Sequence, residues 1–241
     1  MAESIVVDGI TVSNAHELAD LLRRQLRSSI LSGKTSDEGP EEAIWRLFNS
    51  IRGSSSEQLF VDALMELLID ADVAIRTSAV GLAQDFSESL EPRRLLKVLD
   101  ENQSLFRGVR PKADGHSGLD DSDLSWGLLR AVAGRRTSDD KVLNRLRTAA
   151  EDPTNGATIL AGLTVSDPEW VLGNLAKLLD QAPGGAAIVL NNLDASSSRD
   201  RFASEARKAG RRGKAAAVKA VKDLIRDPRE RQRLLNLLAS S

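Results

Sequence analysis

Between Ser56 and Phe86 the apolar residues fall on two helical stripes separated by only four positions. Leu59, Phe60, Ala63, Leu64, Leu67 and Leu68 recur at spacings of three and four. Asp70-Ala71-Asp72 breaks the run, and Val73, Ile75, Ala79, Leu82 and Phe86 resume it. Residues at i, i+3, i+4 and i+7 share one face of a 3.6-residue helix. With so short a break, the two stripes meet only if the chain folds into an antiparallel helix pair. Composition narrows what can fill the seam. Aromatics make up 3% of the 241 residues, Tyr is absent, and the 41% of hydrophobic residues are mostly Leu, Ala, Val and Ile. Ala and Leu are the strongest apolar helix formers, so this palette suits helices packed closely on helices.

The string Leu64-Met65-Glu66-Leu67-Leu68-Ile69-Asp70-Ala71-Asp72-Val73-Ala74-Ile75-Arg76-Thr77-Ser78-Ala79 resembles a HEAT repeat. That family has an apolar first helix, an Asp-rich turn, a Val and an Arg opening the second helix, and then a small residue. Asp70, Asp72, Val73, Arg76 and Ala79 occupy those places. The resemblance covers about one repeat. It implies an all-α, right-handed α-solenoid of antiparallel helix pairs with a surface for a partner.

Self-similarity returns further along. Val142, Leu143, Leu146 and Ala150 recur as Val171, Leu172, Leu175 and Leu179, and Gly156, Ala157 and Ile159 recur as Gly185, Ala186 and Ile188. The offset is constant at about 29 residues, a period characteristic of stacked helical units. Each unit reads as helix, Pro-containing turn, helix, with Asp152-Pro153 in one turn and Ala182-Pro183 in the other. Ser166-Asp167-Pro168-Glu169 and Asp227-Pro228-Arg229-Glu230 are helix starts with Pro in the first turn.

The reading is one domain over residues 1–241, with three departures from the helical pattern. Residues 1–12 form a β-hairpin, because two β-branched runs flank Asp8-Gly9. Residues 102–123, rich in Gly, Asp and Ser, are a flexible insert without helical period. Residues 199–241 are a basic C-terminal cap. Ser13 is expected to cap the helix after the hairpin, Gly33 and Gly53 to end helices, and Ser54-Ser55-Ser56 to cap the next. Trp45, Trp126 and Trp170 each fall in an amphipathic pattern and are read first as core residues. Trp126 is also a candidate interface anchor, since exposed Trp is enriched at hot spots.

Tested for chemistry, the chain yields no catalytic, cofactor-binding or metal-ligating residues. It has no Cys, which excludes disulfides, zinc ribbons and thiol nucleophiles. Its two histidines, His16 and His116, lie in no metal-ligand spacing. Ser32-Gly33-Lys34-Thr35 lacks the first Gly of a phosphate loop and follows a helix, so it reads as a helix end. Asp114, Asp120, Asp121 and Asp123 cluster without the order or final Glu of a calcium loop. They are read as contacts for a basic partner.

The net charge is −2, against dedicated nucleic-acid binding. One local basic patch stands out: Arg207, Lys208, Arg211, Arg212, Lys214, Lys219 and Lys222. Of these, Arg207, Arg211, Arg212 and Lys214 join the acidic cluster and Trp126 as candidate partner-binding residues. No apolar run is long enough to span a bilayer, and the first residues show no signal peptide, so a cytoplasmic protein is expected. Abundant Ala and Arg fit a bacterial source.

These features together lead to a non-enzymatic protein-binding solenoid: an inhibitor or immunity-type protein that covers a partner's active surface, or an assembly scaffold. The alternative is a nucleic-acid-binding HEAT-like protein, similar in architecture to alkylpurine DNA glycosylases, that uses the C-terminal patch.

Overall fold

The computed structural model describes residues 5–7, 10–32, 40–109 and 123–240. It is mostly helical, with a short two-stranded antiparallel sheet, and it falls into two compact units, residues 1–132 and 133–241.

In the first unit, β1 (Ile5–Val7) pairs with β2 (Ile10–Val12) in the register Ile5 to Val12 and Val6 to Thr11. The pleat puts Ile5 and Val12 inward and leaves Val6 and Thr11 exposed. The turn at Asp8-Gly9 lies outside the described residues. The helices of this unit are α1 (Ala15–Ser32), α2 (Pro40–Ile51), α3 (Glu57–Leu68), α4 (Val73–Asp85), α5 (Pro92–Glu101), the short α6 (Gln103–Phe106) and α7 (Leu124–Gly134), whose last two residues belong to the second unit. The start of α1 is reciprocal: the Ser13 amide and hydroxyl donate to Glu17, while Asn14 Oδ1 accepts from the Glu17 amide. Asn14 is therefore the capping side chain, one residue after the expected Ser13. Ser56 precedes α3 without a capping hydrogen bond. Gly53, at φ 76°, ends α2 in the left-handed conformation that favours glycine.

α3 and α4 form the expected helix pair, and α1 packs against both. Phe48, Phe60 and Phe86 join α2, α3 and the end of α4, with ring centroids 4.1–5.4 Å apart. The Asp-rich turn explains its own residues. Asp72 caps α4 by accepting from the Ala74 amide, and Asp70 Oδ1 accepts from the Asp72 amide. Arg76, 4% exposed, donates from Nη1 to the carbonyls of Asp70 at 2.5 Å and Ala71 at 3.1 Å. The bond to the Asp70 carbonyl is buried, so Arg76 supplies that carbonyl with a donor inside the fold. Ala79 is fully buried, whereas Val73 is 43% exposed. Trp45, expected in the core, is 50% exposed. Trp126 and Trp170 are half-buried.

The expected insert at 102–123 carries more order at its start than its composition suggests. α6 lies within it and buries Phe106, and the Leu124 amide donates to the Val109 carbonyl. Residues 110–122 lie outside the described residues.

The second unit is built from α8 (Asp140–Ala150), a 3-10 turn (Gly156–Ile159) leading into α9 (Leu160–Ser166), then α10 (Pro168–Gly173), α11 (Leu175–Gln181), α12 (Gly185–Asn191), α13 (Ser196–Ala206), α14 (Arg211–Leu224) and α15 (Pro228–Ala239). The 29-residue recurrence maps onto it: Val142, Leu143, Leu146 and Ala150 are buried, as are Val171, Leu172, Leu175 and Leu179. Gly156 and Gly185 recur because a Cβ would strike the Ala150 carbonyl in one case and the Leu160 side chain in the other. Asp139, Asp167 and Asp227 cap α8, α10 and α15.

The packing sorts these helices into two rows. α9 packs on α12, and α12 on α14; α10 and α11 pack on α13, and α13 on α15. The rows meet where α8 packs on α9, α11 on α12 and α14, and α13 on α14.

Candidate interaction surface

Charged side chains behave differently on the two rows of the second unit. Along α8, α10–α11, α13 and α15 they pair from helix to helix. Arg147 of α8 forks onto Asp167, the cap of α10, with Nε at 2.8 Å. Lys177 of α11 reaches back to Glu151 at 2.7 Å, and Arg201 of α13 meets Glu169 of α10 at 2.5 Å. Between α13 and α15, Arg199 contacts Glu230 at 3.3 Å and Arg233 contacts Asp200 at 3.1 Å.

α14 shows the opposite. Residues 207–222 hold seven cations and no acid. Only Lys208 has a carboxylate, Glu205 three residues before it at the end of α13, at 2.7 Å. Arg207, Arg211, Arg212, Lys214, Lys219 and Lys222 have no side-chain partner among the described residues. The small apolar positions Gly213, Ala217, Ala220 and Val221 turn one face of α14 inward. Arg211, Ala215, Lys219 and Lys222, at i, i+4, i+8 and i+11, line the opposite exposed face. At 1.5 Å per residue this stripe runs about 17 Å. Arg212 is exposed beside it, and Arg207 and Lys214 are half-buried.

Helix electrostatics disfavour this arrangement. The amino end of a helix carries partial positive charge, and its first turn prefers carboxylates. α14 opens with Arg211 and Arg212, has no acid in its first turn, and follows Gly210, which supplies no side-chain cap. The Gly210 amide is held by Asp180 Oδ1 at 2.6 Å. Arg211 with Lys214 and Lys219 with Lys222 add like-charge neighbours one turn apart.

The expected acidic site is not assembled in the described part of the molecule. Asp114, Asp120 and Asp121 lie outside the described residues. Asp123 is engaged within the chain: it accepts from the Gly108 amide at 2.9 Å and from the Ser125 amide at 3.1 Å and hydroxyl, tying residue 108 to the start of α7. Trp126, also on α7, belongs to the first unit, whereas Arg207, Arg211, Arg212 and Lys214 sit together around the start of α14 in the second.

A second polar cluster joins α1 to the α3–α4 turn. Arg23 bonds both Asp20 and Asp70, and Arg27 lies 3.6 Å from Asp72. Burial raises the Asp70 carboxyl, but the Asp72 amide and Arg23 outweigh it and leave its pKa below the ordinary value. His16 Nδ1 lies 3.0 Å from Glu66, a hydrogen bond that raises the imidazole pKa with help from Asp20. Among the described residues, no group of three or more His, Asp or Glu side chains is placed to hold a metal ion, and no helix is long and apolar enough to cross a membrane.

The uncharged helix α12 beside α14, and α9 beside α12, were missed in the sequence. α9 and α12 carry no ionisable side chain, and Val165 (43% exposed), Ala187 and the half-buried Ile188 remain open. Periodicity marks them as helical but cannot say which neighbour covers them. Comparison with known proteins found no matching family model, no matching curated protein and no matching solved structure.

Proposed function

We propose that this chain is a HEAT-like α-solenoid that works as a non-enzymatic protein-binding module. The observation that carries the reading is the pair of helix rows in the second unit, α9–α12–α14 against α10/α11–α13–α15, together with the 29-residue recurrence of residues 142–159 in 171–188. Stacked pairs of this kind bury a thin core and leave long exposed faces, a geometry that offers area to a macromolecule. The Asp70–Arg76 turn between α3 and α4 supports the same reading in the first unit, because Arg76 ties the turn to the helix that follows. An inhibitor or immunity-type protein that covers a partner's active surface, acting in the cytoplasm, is the form we favour over a general assembly scaffold.

The cations of α14 favour one further reading, contact with nucleic acid. Both are tested by capture from source-cell lysate with the tagged protein, with and without nuclease. One protein recovered at near-equal stoichiometry in both supports a dedicated binder, and inhibition of that protein's activity by the purified chain separates an inhibitor from a scaffold. Recovery that disappears on nuclease treatment would sink the protein-binding reading in favour of nucleic acid.

A further inference from the structure

We infer that the row α9–α12–α14 is the docking face for an acidic protein segment, whose carboxylates meet Arg211, Lys219 and Lys222 while its apolar side chains seat on α12 and α9. This rests on the protein-binding reading and names the face and the chemistry of the partner.

Three observations place the partner there. First, the charges that fold the second unit are separable from those that do not. In the other row Arg147, Lys177, Arg199, Arg201 and Arg233 pair with carboxylates of other elements, whereas the exposed stripe of α14 has no such pair among the described residues. Second, Arg211 and Arg212 oppose the dipole of the helix they begin, so they weaken α14 and need another reason to be there. A bound carboxylate supplies it, because guanidinium and carboxylate match in charge and in fork geometry. Third, α12, which packs on α14, and α9, which packs on α12, are neutral. Residues 160–166 and 184–192 contain no charged side chain, and Val165, Ala187 and Ile188 remain open on them. An apolar strip bordered by charge is the anatomy of a protein interface, where the centre is depleted of charge and the rim is polar.

The same features weigh against a nucleic-acid duplex. A duplex is wider than one helix, so phosphates next to those on α14 would lie over α12 and α9, which offer no cation to neutralise them. The chain as a whole carries a net charge of −2 and gives a polyanion no long-range attraction. No aromatic residue lies between Arg207 and Lys222 to stack an unpaired base.

The test uses the full chain and three labelled probes in fluorescence anisotropy at low salt. They are a synthetic 21-residue amphipathic helix with Glu on one face and Leu on the next, a scrambled version of it, and a 24-base-pair DNA duplex. The amphipathic peptide is expected to bind at least tenfold more tightly than the other two. Arg211→Glu with Lys219→Glu, and separately Ala187→Glu with Ile188→Glu, should each weaken it tenfold or more. Lys141→Glu, on α8 in the second unit, should leave it unchanged. Glu in the first turn suits the helix dipole, so circular dichroism and the melting temperature of the α14 variant should match or exceed the parent, which separates lost binding from lost folding.

Peptide binding that ignores both pairs of substitutions overturns the inference. So does a duplex that binds more tightly than the peptide and is lost in the α14 variant. If the lysate partner binds the α14 and α12 variants as well as it binds the parent, the protein-binding reading stands and this face is the wrong one. If no lysate protein is captured at near-equal stoichiometry, the protein-binding reading itself fails.

Discussion

The two helix rows of the second unit use the same residue types for different ends. On α8, α10–α11, α13 and α15, cations and carboxylates join one helix to the next, and several are half-buried where they meet: the Asp167 side chain is 13% exposed and that of Glu230 16%. On α14, cations of the same kind face outward along a single stripe with no carboxylate opposite. The difference teaches that charge in this protein cannot be read by counting. A net charge of −2 conceals one row in which charges are part of the packing and one helix where they are left over.

That contrast can be broken or sharpened by substitution. The largest effect is expected at Asp167, which both forks with Arg147 and caps α10 through the Trp170 amide. Asp167→Ala removes the cap and leaves the partly buried Arg147 guanidinium with Asn144 but no carboxylate, and should cost about 2–3 kcal/mol in urea unfolding. A loss well under 1 kcal/mol would mean that the inter-helix pairs are surface decoration. Arg199→Ala comes next, because Arg199 Nε also donates to the Leu193 carbonyl at 2.8 Å. About 1–2 kcal/mol is expected from the Leu193 carbonyl and Glu230 carboxylate left without their donor.

On α14 the sign should reverse. Arg211→Glu replaces a cation with an acid at a helix amino end and should stabilise the chain by about 0.3–1 kcal/mol, read as a higher melting temperature. Destabilisation there would show that Arg211 has a structural role and erase the contrast between the rows.

The smallest effect concerns a pair that forms only conditionally. His16 is fully exposed on α1, and its hydrogen bond to Glu66, with Asp20 nearby, raises its pKa above 6.5. A raised pKa means that the protonated form is favoured in the folded state. Its contribution is therefore complete below about pH 6.5 and fades as pH rises through the folded pKa. Titration of the ring by NMR should show the raised midpoint, and a small loss of melting temperature on going to pH 8 should be absent in His16→Gln.

How much of this was legible in the residues depends on the distance over which each feature is encoded. The α3–α4 pair and the helix starts at Asp167-Pro168 and Asp227-Pro228 depend on spacings within a turn or two and can be read directly, as can the 29-residue recurrence, whereas Asp72 reads only as a helix breaker and turns out to cap α4. The cap of α1 was misplaced by one residue, because Ser13 and Asn14 are both good caps and only backbone geometry chooses between them. Trp45 had the right period for a core position, but period does not say whether a neighbour reaches that part of the face, and it is half exposed. Of the candidate site residues, the basic group around α14 was visible as a run of like charge. Asp123 looked available in the chain and is instead held by Gly108 and Ser125.

Local sequence encodes most of the helical stripes and the hairpin strands, because hydrophobic period and turn residues act between near neighbours in the chain, but it does not encode every helix end. Lys219 and Lys222 read as sharing a helix, whereas Arg211 and Arg212 read as preceding it and in the fold form its first turn. Only the tertiary structure decided which charges are satisfied. Lys177 finds Glu151, Arg201 finds Glu169 and Arg199 finds Glu230 across separations of 26–32 residues, through helix stacking that no local pattern encodes. The physical reason is that an ion pair needs its two ends within about 4 Å, and over such separations that proximity is a property of the packed helices rather than of the chain.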